Sequence, residues 1–169
     1  RNTAIGQGAL SNATTGSYNT AIGTAAMGTG VVTGSSNLAI GATALEQLVD
    51  GISNTAVGRS SLTKTTSGQS NVAVGKSALS NNTTGSNNVA IGATALSLSS
   101  DGATNNNVAI GNTALDGLNP GQNGNTAIGA GAGRDLDTGT ENIIIGFGAE
   151  ASATSVSNEI TFGDTGDKS

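Results

Sequence analysis

Along this chain large aliphatic residues recur at fixed offsets from a repeated glycine, and polar residues fill the intervals between them. The clearest copy is Asn88-Val89-Ala90-Ile91-Gly92 followed by Ala95-Leu96. Related phrases begin at Asn2, Asn19, Asn37, Asn54, Asn71, Asn107, Asn125 and Asn142, and a degenerate last copy runs Asn158-Glu159-Ile160-Thr161-Phe162-Gly163. The closing glycines (Gly6, Gly23, Gly41, Gly58, Gly75, Gly92, Gly111, Gly129, Gly146 and Gly163) stand 17 to 19 residues apart. A unit this short cannot bury its own apolar face. It must stack on its neighbours, which makes the chain a repeat protein.

Within each phrase, positions two and four alternate with alanine between them, as in Val72-Ala73-Val74. Period-two alternation predicts a strand with two distinct faces. The fourth position is always large and aliphatic from Ile5 to Ile145, and we expect that face to be buried. The third position is alanine from Ala4 to Ala127, so close packing is expected there too, against another copy of the chain. A second strand-like piece, x-x-A-L, carries Leu10, Met27, Leu45, Leu62, Leu79, Leu96 and Leu115, expected to face the isoleucine column across a narrow coil. Ile91 and Leu96 should therefore share one interior.

The glycine closing each strand marks a corner where a Cβ would clash or φ must be positive. The asparagine opening it is a turn residue, and stacked copies can bond one another as a ladder. Length variation is confined to a loop rich in Thr, Ser, Asn and Gly, represented by Asn12 to Ser17, Asn81 to Asn87 and Ser99 to Asn106. Leu45, Leu48 and Val49 fall at helical spacing, which suggests a helical turn over Glu46 to Asp50. The pattern loosens near the end, where Gly133 and Glu150 replace leucine, Ile144 replaces alanine, and Phe147 and Phe162 appear. We divide the chain into regular repeats, 1–146, and a divergent segment, 147–169, leading to a neck or a further domain.

Composition narrows the chemistry. There are 27 glycines without a G-X-Y period, one proline, and neither cysteine nor histidine. Disulfides, the usual transition-metal ligands and most nucleophile–base pairs are absent, so no enzyme activity and no cofactor is expected. The formal net charge of -5 disfavours nucleic acid and anionic membrane surfaces, and no 18-residue apolar run predicts membrane insertion. Beginning at Arg1 within a repeat, the sequence reads as part of a longer protein.

The remaining candidates are weak. Arg59 and Lys76 each follow a strand-closing glycine in adjacent units, with Lys64 nearby. They make either a small patch for an acidic or sulfated glycan or a pair of solvated cations. Asp135, Asp137 and Glu141 share a loop but lack calcium-loop spacing. Ser61-Leu62-Thr63-Lys64 matches Ser-x-x-Lys without its companion motifs. Thr14, Thr15, Asn81, Asn82, Thr83, Thr84 and Asn105 offer donors and acceptors to sugar hydroxyls. The position-two column, Thr3, Thr20, Leu38, Thr55, Val72, Val89, Val108, Thr126 and Ile143, is too broken to present a threonine lattice to ice.

The N-x-A-I-G-x-x-A-L units resemble the head repeats of YadA-like trimeric autotransporter adhesins. They are still more similar to the N-T-A-I-G-x-x-A-L repeats of phage tail fibres and of surface proteins of large algal viruses. The resemblance spans Asn2 to Gly146, with units longer than those of the adhesin heads. It implies a homotrimer of left-handed parallel β-rolls serving attachment on a virion surface or, alternatively, on a bacterial outer surface. The combined expectation is an all-β parallel solenoid of about 17 residues per coil. As a fibre segment it would bind a host cell-wall or cell-surface glycan through Arg59, Lys76, Asn81, Asn82, Thr83 and Thr84. A structural spacer is the competing reading.

Overall fold

The computed structural model describes residues 1–98 and 100–163. Ten strands follow one another, one per repeat: β1 (Thr3–Ile5), β2 (Thr20–Ile22), β3 (Leu38–Ile40), β4 (Thr55–Val57), β5 (Val72–Val74), β6 (Val89–Ile91), β7 (Val108–Ile110), β8 (Thr126–Ile128), β9 (Ile143–Ile145) and β10 (Ile160–Phe162). They form one parallel sheet in sequence order. Equivalent residues pair, as in Val72↔Val89, Ala73↔Ala90 and Val74↔Ile91. The fold is thus the all-β parallel solenoid that the periodicity predicts. At about 4.8 Å per strand its sheet is on the order of 45 Å long.

The strand faces are the reverse of those expected. Ala21, Ala39, Ala56, Ala73, Ala90, Ala109 and Ala127 are fully buried inside the coil, whereas Ile40, Val74, Ile91 and Ile128 are exposed. Leu96 does point inward, with no exposed surface, but Ile91 is 39% exposed on the opposite side of the strand. The reason is space. Leucines from the far wall fill the thin interior, and only a methyl group fits against them. Alanine is therefore small because it meets Leu within its own chain, and its size is no sign of a second chain.

The x-x-A-L piece is a turn. Thr94 and Leu96 have φ of 53° and 50°, and the equivalents Ser77 and Leu79 have 56° and 53°. Left-handed residues at alternate positions bend the chain and swing each leucine inward, at a backbone cost of roughly 1–2 kcal/mol apiece. Coil-to-coil hydrogen bonds continue through the turn, as from Leu96 N to Ala114 O at 2.8 Å. The same rule removes the helical turn expected over 46–50. Gln47 N and Val49 N donate to Thr63 O and Thr66 O of the next coil, and only Leu48 N bonds locally, to Leu45 O at 3.1 Å.

The asparagine column is a buried ladder. Asn88 donates from both its backbone N and its Nδ2 to Asn71 Oδ1, each at 3.0 Å, while its Nδ2 also reaches Thr104 O at 2.7 Å. Asn37, Asn54, Asn71 and Asn142 repeat the double donation. Among the described residues no buried side-chain nitrogen or oxygen lacks a partner. In the last coil Glu159, not Asn158, takes the ladder position, donating from its N to Asn142 Oδ1.

From Gly6 to Gly129 each strand-closing glycine is required twice over. Gly23 has φ of 133°, and a Cβ there would lie 2.6 Å from the carbonyl carbon of Gly41 in the next coil. Both steric reasons read from the sequence therefore hold. The segment 147–163 continues the solenoid through β10. Ser99 and residues 164–169, which belong to the variable loop and to the expected transition at the end, lie outside the described residues.

Candidate functional site

Outside the core the described residues present the sheet face, the loop corner, a hollow at the first coils lined by Arg1, Asn2 and Tyr18, and a hollow near the C-terminal end. The sheet face carries positions two and four of every strand. From Thr20 through Ile145 it is Thr, Leu, Val or Ile at every such position, without a charge. Neighbouring strands bring Val72, Val74, Val89, Ile91, Val108 and Ile110 together at the spacing of a parallel sheet. This is a continuous apolar surface, unlike the singly scattered exposed apolar side chains common on proteins.

The loop corner is less available than its composition suggests. Asn82 is fully buried, its Nδ2 donating to Gly85 O at 3.0 Å and its Oδ1 accepting from Gly85 N at 3.1 Å. Asn81 Nδ2 donates to Leu98 O at 2.8 Å, and the Thr83 hydroxyl donates to Gly102 O at 3.0 Å. Asn105 is also engaged, accepting from Ser86 N and bonding Asn123. Of the sugar-binding candidates in this loop, Thr84 is exposed, as are Thr14 and Thr15 in an earlier coil. The same loop composition that suggests sugar binding thus largely satisfies backbone between coils.

Arg59 and Lys76 are exposed on adjacent coils, joined by the bond from Ser77 N to Arg59 O at 2.9 Å. Lys64 does not join them, because it pairs with Asp101 two coils away. Nor do Ser61 and Lys64 form a dyad: the buried Ser61 hydroxyl donates to Gly58 O. In the acidic loop, Asp137 Oδ1 accepts from Asn119 Nδ2 at 2.6 Å. Among the described residues no group of three or more His, Cys, Asp or Glu side chains is placed to hold a metal ion.

The hollow near the C-terminal end was not anticipated. The second residue after the strand glycine is Thr94 and then Thr113, but Gly131 and Gly148 in the next two coils. Where those side chains are missing there is a hollow of about 430 Å³. Asn112, Thr113, Arg134, Asp135, Phe147 and Glu150 line it. Phe147 is 82% exposed. Glu150 Oε2 accepts from Asp135 N at 3.1 Å, and Arg134 Nε is 3.5 Å from Asp135 Oδ1. Burial pushes the Glu150 carboxyl above its ordinary range, with Asp135 adding to the shift while Arg134 and the backbone donors oppose it. Asp116 is also raised by burial, against the pull of Arg134. The signal in the sequence was the glycine pattern: a column that loses its side chains in two successive coils, beside an aromatic residue in a chain almost without them.

Comparison with protein-family models, with curated proteins and with solved structures finds no match for this chain.

Proposed function

We propose that this chain is a rigid, non-enzymatic segment of a viral or phage surface fibre that works as a homotrimer and engages a host surface glycan. The observation that carries the proposal is the uncharged aliphatic sheet face, which runs the length of the regular coils and has no cover within the chain. Copies packed side by side with these faces toward a common axis would bury it coil against coil. A closed symmetric assembly suits a surface that repeats along one direction. The net charge of -5 lies off that face and does not oppose the contact. The alanine column plays no part in association.

Attachment is supported by the remainder of the circumference, where loops vary in length over an unchanging frame. The left-handed roll and the location on a virion follow from the resemblance of the repeats. A spacer role gains support from one specific feature, the bonding of Asn81, Asn82 and Thr83 into their own and neighbouring coils. Sedimentation velocity on the full chain tests the assembly. A trimer is expected, and Ile91→Asp should shift it toward monomer; a stable monomer at micromolar concentration overturns the reading. Binding to an arrayed glycan panel separates attachment from spacing.

A further inference from the structure

The hollow between the eighth and ninth coils combines features not found together on the sheet face or the loop corner. It is concave, it has an exposed aromatic face at its edge, and it has charged and amide groups around it. We infer that it is a saccharide subsite that takes a neutral hexose or an amino sugar. The inference deepens the glycan-binding role proposed above and rests on it, while moving recognition away from Arg59, Lys76 and the 81–86 loop.

The size fits. Small-ligand sites occupy roughly 300–1,000 Å³, and about 430 Å³ lies at the low end of that range. The chemistry fits as well. A pyranose ring has one face of C–H groups and an equator of hydroxyls. Phe147, 82% exposed, offers a flat apolar surface for the C–H face and has no core position to fill. Arg134 has a planar fork of donors, and Asp135 and Glu150 offer paired acceptor oxygens, a geometry suited to adjacent hydroxyls. Asn112 and Thr113 add one amide and one hydroxyl from the coil above. Each such bond contributes modestly, so repetition of the site around an assembly would raise the apparent affinity.

Charge selects among sugars. Arg134 faces Asp135 and Glu150, with Asp116 close enough to feel Arg134, so the local balance is negative. Uronic, sialic and sulfated sugars are repelled, while a neutral hexose or a protonated hexosamine is accepted. This preference is the opposite of that expected for a patch built on Arg59 and Lys76.

The hollow can be closed at the backbone cost of a left-handed threonine in each of two coils. Thr113 occupies the same position as Gly131 and Gly148 with φ of 55°, close to their 73° and 60°. A Cβ at Gly148 meets nothing within 4 Å. Gly131→Thr combined with Gly148→Thr therefore restores the ordinary column and fills the space.

The test uses the full chain on an array of neutral-hexose, hexosamine, uronic-acid and sulfated oligosaccharides. Phe147→Ala, the double threonine variant and an Arg59→Ala/Lys76→Ala control are run beside it, with melting curves for each. Binding confined to neutral or amino sugars is expected, lost at least tenfold in Phe147→Ala and in the filled variant and kept in the control. If the intact chain binds but those two variants bind equally well, the subsite is wrong while the attachment role stands. A preference for anionic sugars that disappears in the control also overturns the subsite. If the intact chain binds nothing on the array, the subsite and the glycan reading fall together.

Discussion

A Cβ on Gly133 would lie 3.0 Å from Cδ1 of Ile144 and 3.0 Å from Cδ2 of Leu115. In earlier coils the strand contributes alanine and the turn contributes leucine; here the turn of one coil contributes glycine, and Ile144, fully buried, reaches into the same space from the strand of the next coil. The bulk has crossed from one wall of the coil to the other at nearly constant volume.

That exchange predicts strong coupling. Gly133→Leu alone overpacks the coil and should cost about 1–3 kcal/mol. Ile144→Ala alone leaves a cavity, at about 2–5 kcal/mol. Combining them restores the relation between Leu115 and Ala127 of the next coil, and the backbone at Gly133, with φ of 62°, is close to the left-handed conformation of Leu115 at 48°. The double variant should melt above both single variants. Additive losses in chemical denaturation would show that the two positions do not share one space.

A second contrast concerns neighbours on one strand. Ala90→Leu forces a large side chain into an interior already filled by Leu96 and should cost about 1–3 kcal/mol, more if the coils cannot shift. Ile91→Asp changes the outer face and should leave the circular dichroism of the isolated chain intact while weakening association. Unfolding by Ile91→Asp under conditions where the wild-type chain is monomeric would contradict this division of faces.

These residues also show how far the sequence could be read. Strand position, register and the parity of the two faces follow from the N-x-A-I-G phrase, because only alternation in a strand explains it. Which face turns inward does not follow. Burying isoleucine and exposing alanine is the usual preference, and the thin coil reverses it because Leu96 already fills the centre. The turn at Thr94 to Leu96 was hidden for a related reason: nothing in Thr-Ala-Leu announces two left-handed residues, which neighbouring coils impose through their hydrogen bonds. Asn82 looked like a loop ligand by composition and is a buried bonding residue by position. The hollow could have been suspected from Gly131 and Gly148, but only the structure brings Phe147, Arg134 and Glu150 to its edge.

The asparagine ladder should be cooperative along the rod. Asn88→Ala removes the acceptor of Asn107 N and the donor to Thr104 O, both in the buried ladder region. Each buried group left unpaired costs about 1–3 kcal/mol. Amide hydrogen exchange should accelerate first at Asn107 and in the flanking coils, with the terminal coils affected least. Uniform acceleration from Ala21 to Ala127 would instead mean that the rod opens as a single unit.

The last prediction concerns pH. Asp116 and Glu150 are both raised from their ordinary values of 3.8 and 4.5 by burial, so the folded chain binds these protons more tightly than the unfolded chain. Where the native state holds more protons, stability falls as pH rises. Their contribution is therefore complete below the ordinary carboxylate values and is lost as pH climbs through the elevated folded ones. Acidification from neutral should raise the protection factors, exchange rates normalised to the intrinsic rate at each pH, of amides around Leu115, Leu136 and Ala149, against the acid destabilisation common in proteins whose carboxylates are held by ion pairs. Arg134, which pulls both groups downward, limits the effect. Asp116→Asn with Glu150→Gln keeps the acceptor for Asp135 N and should flatten the local pH dependence, while leaving that of the first coils as it was. Protection factors at the C-terminal coils that fall on acidification, or a double variant with the wild-type slope, would show that burial of these two carboxyls does not govern this end of the rod.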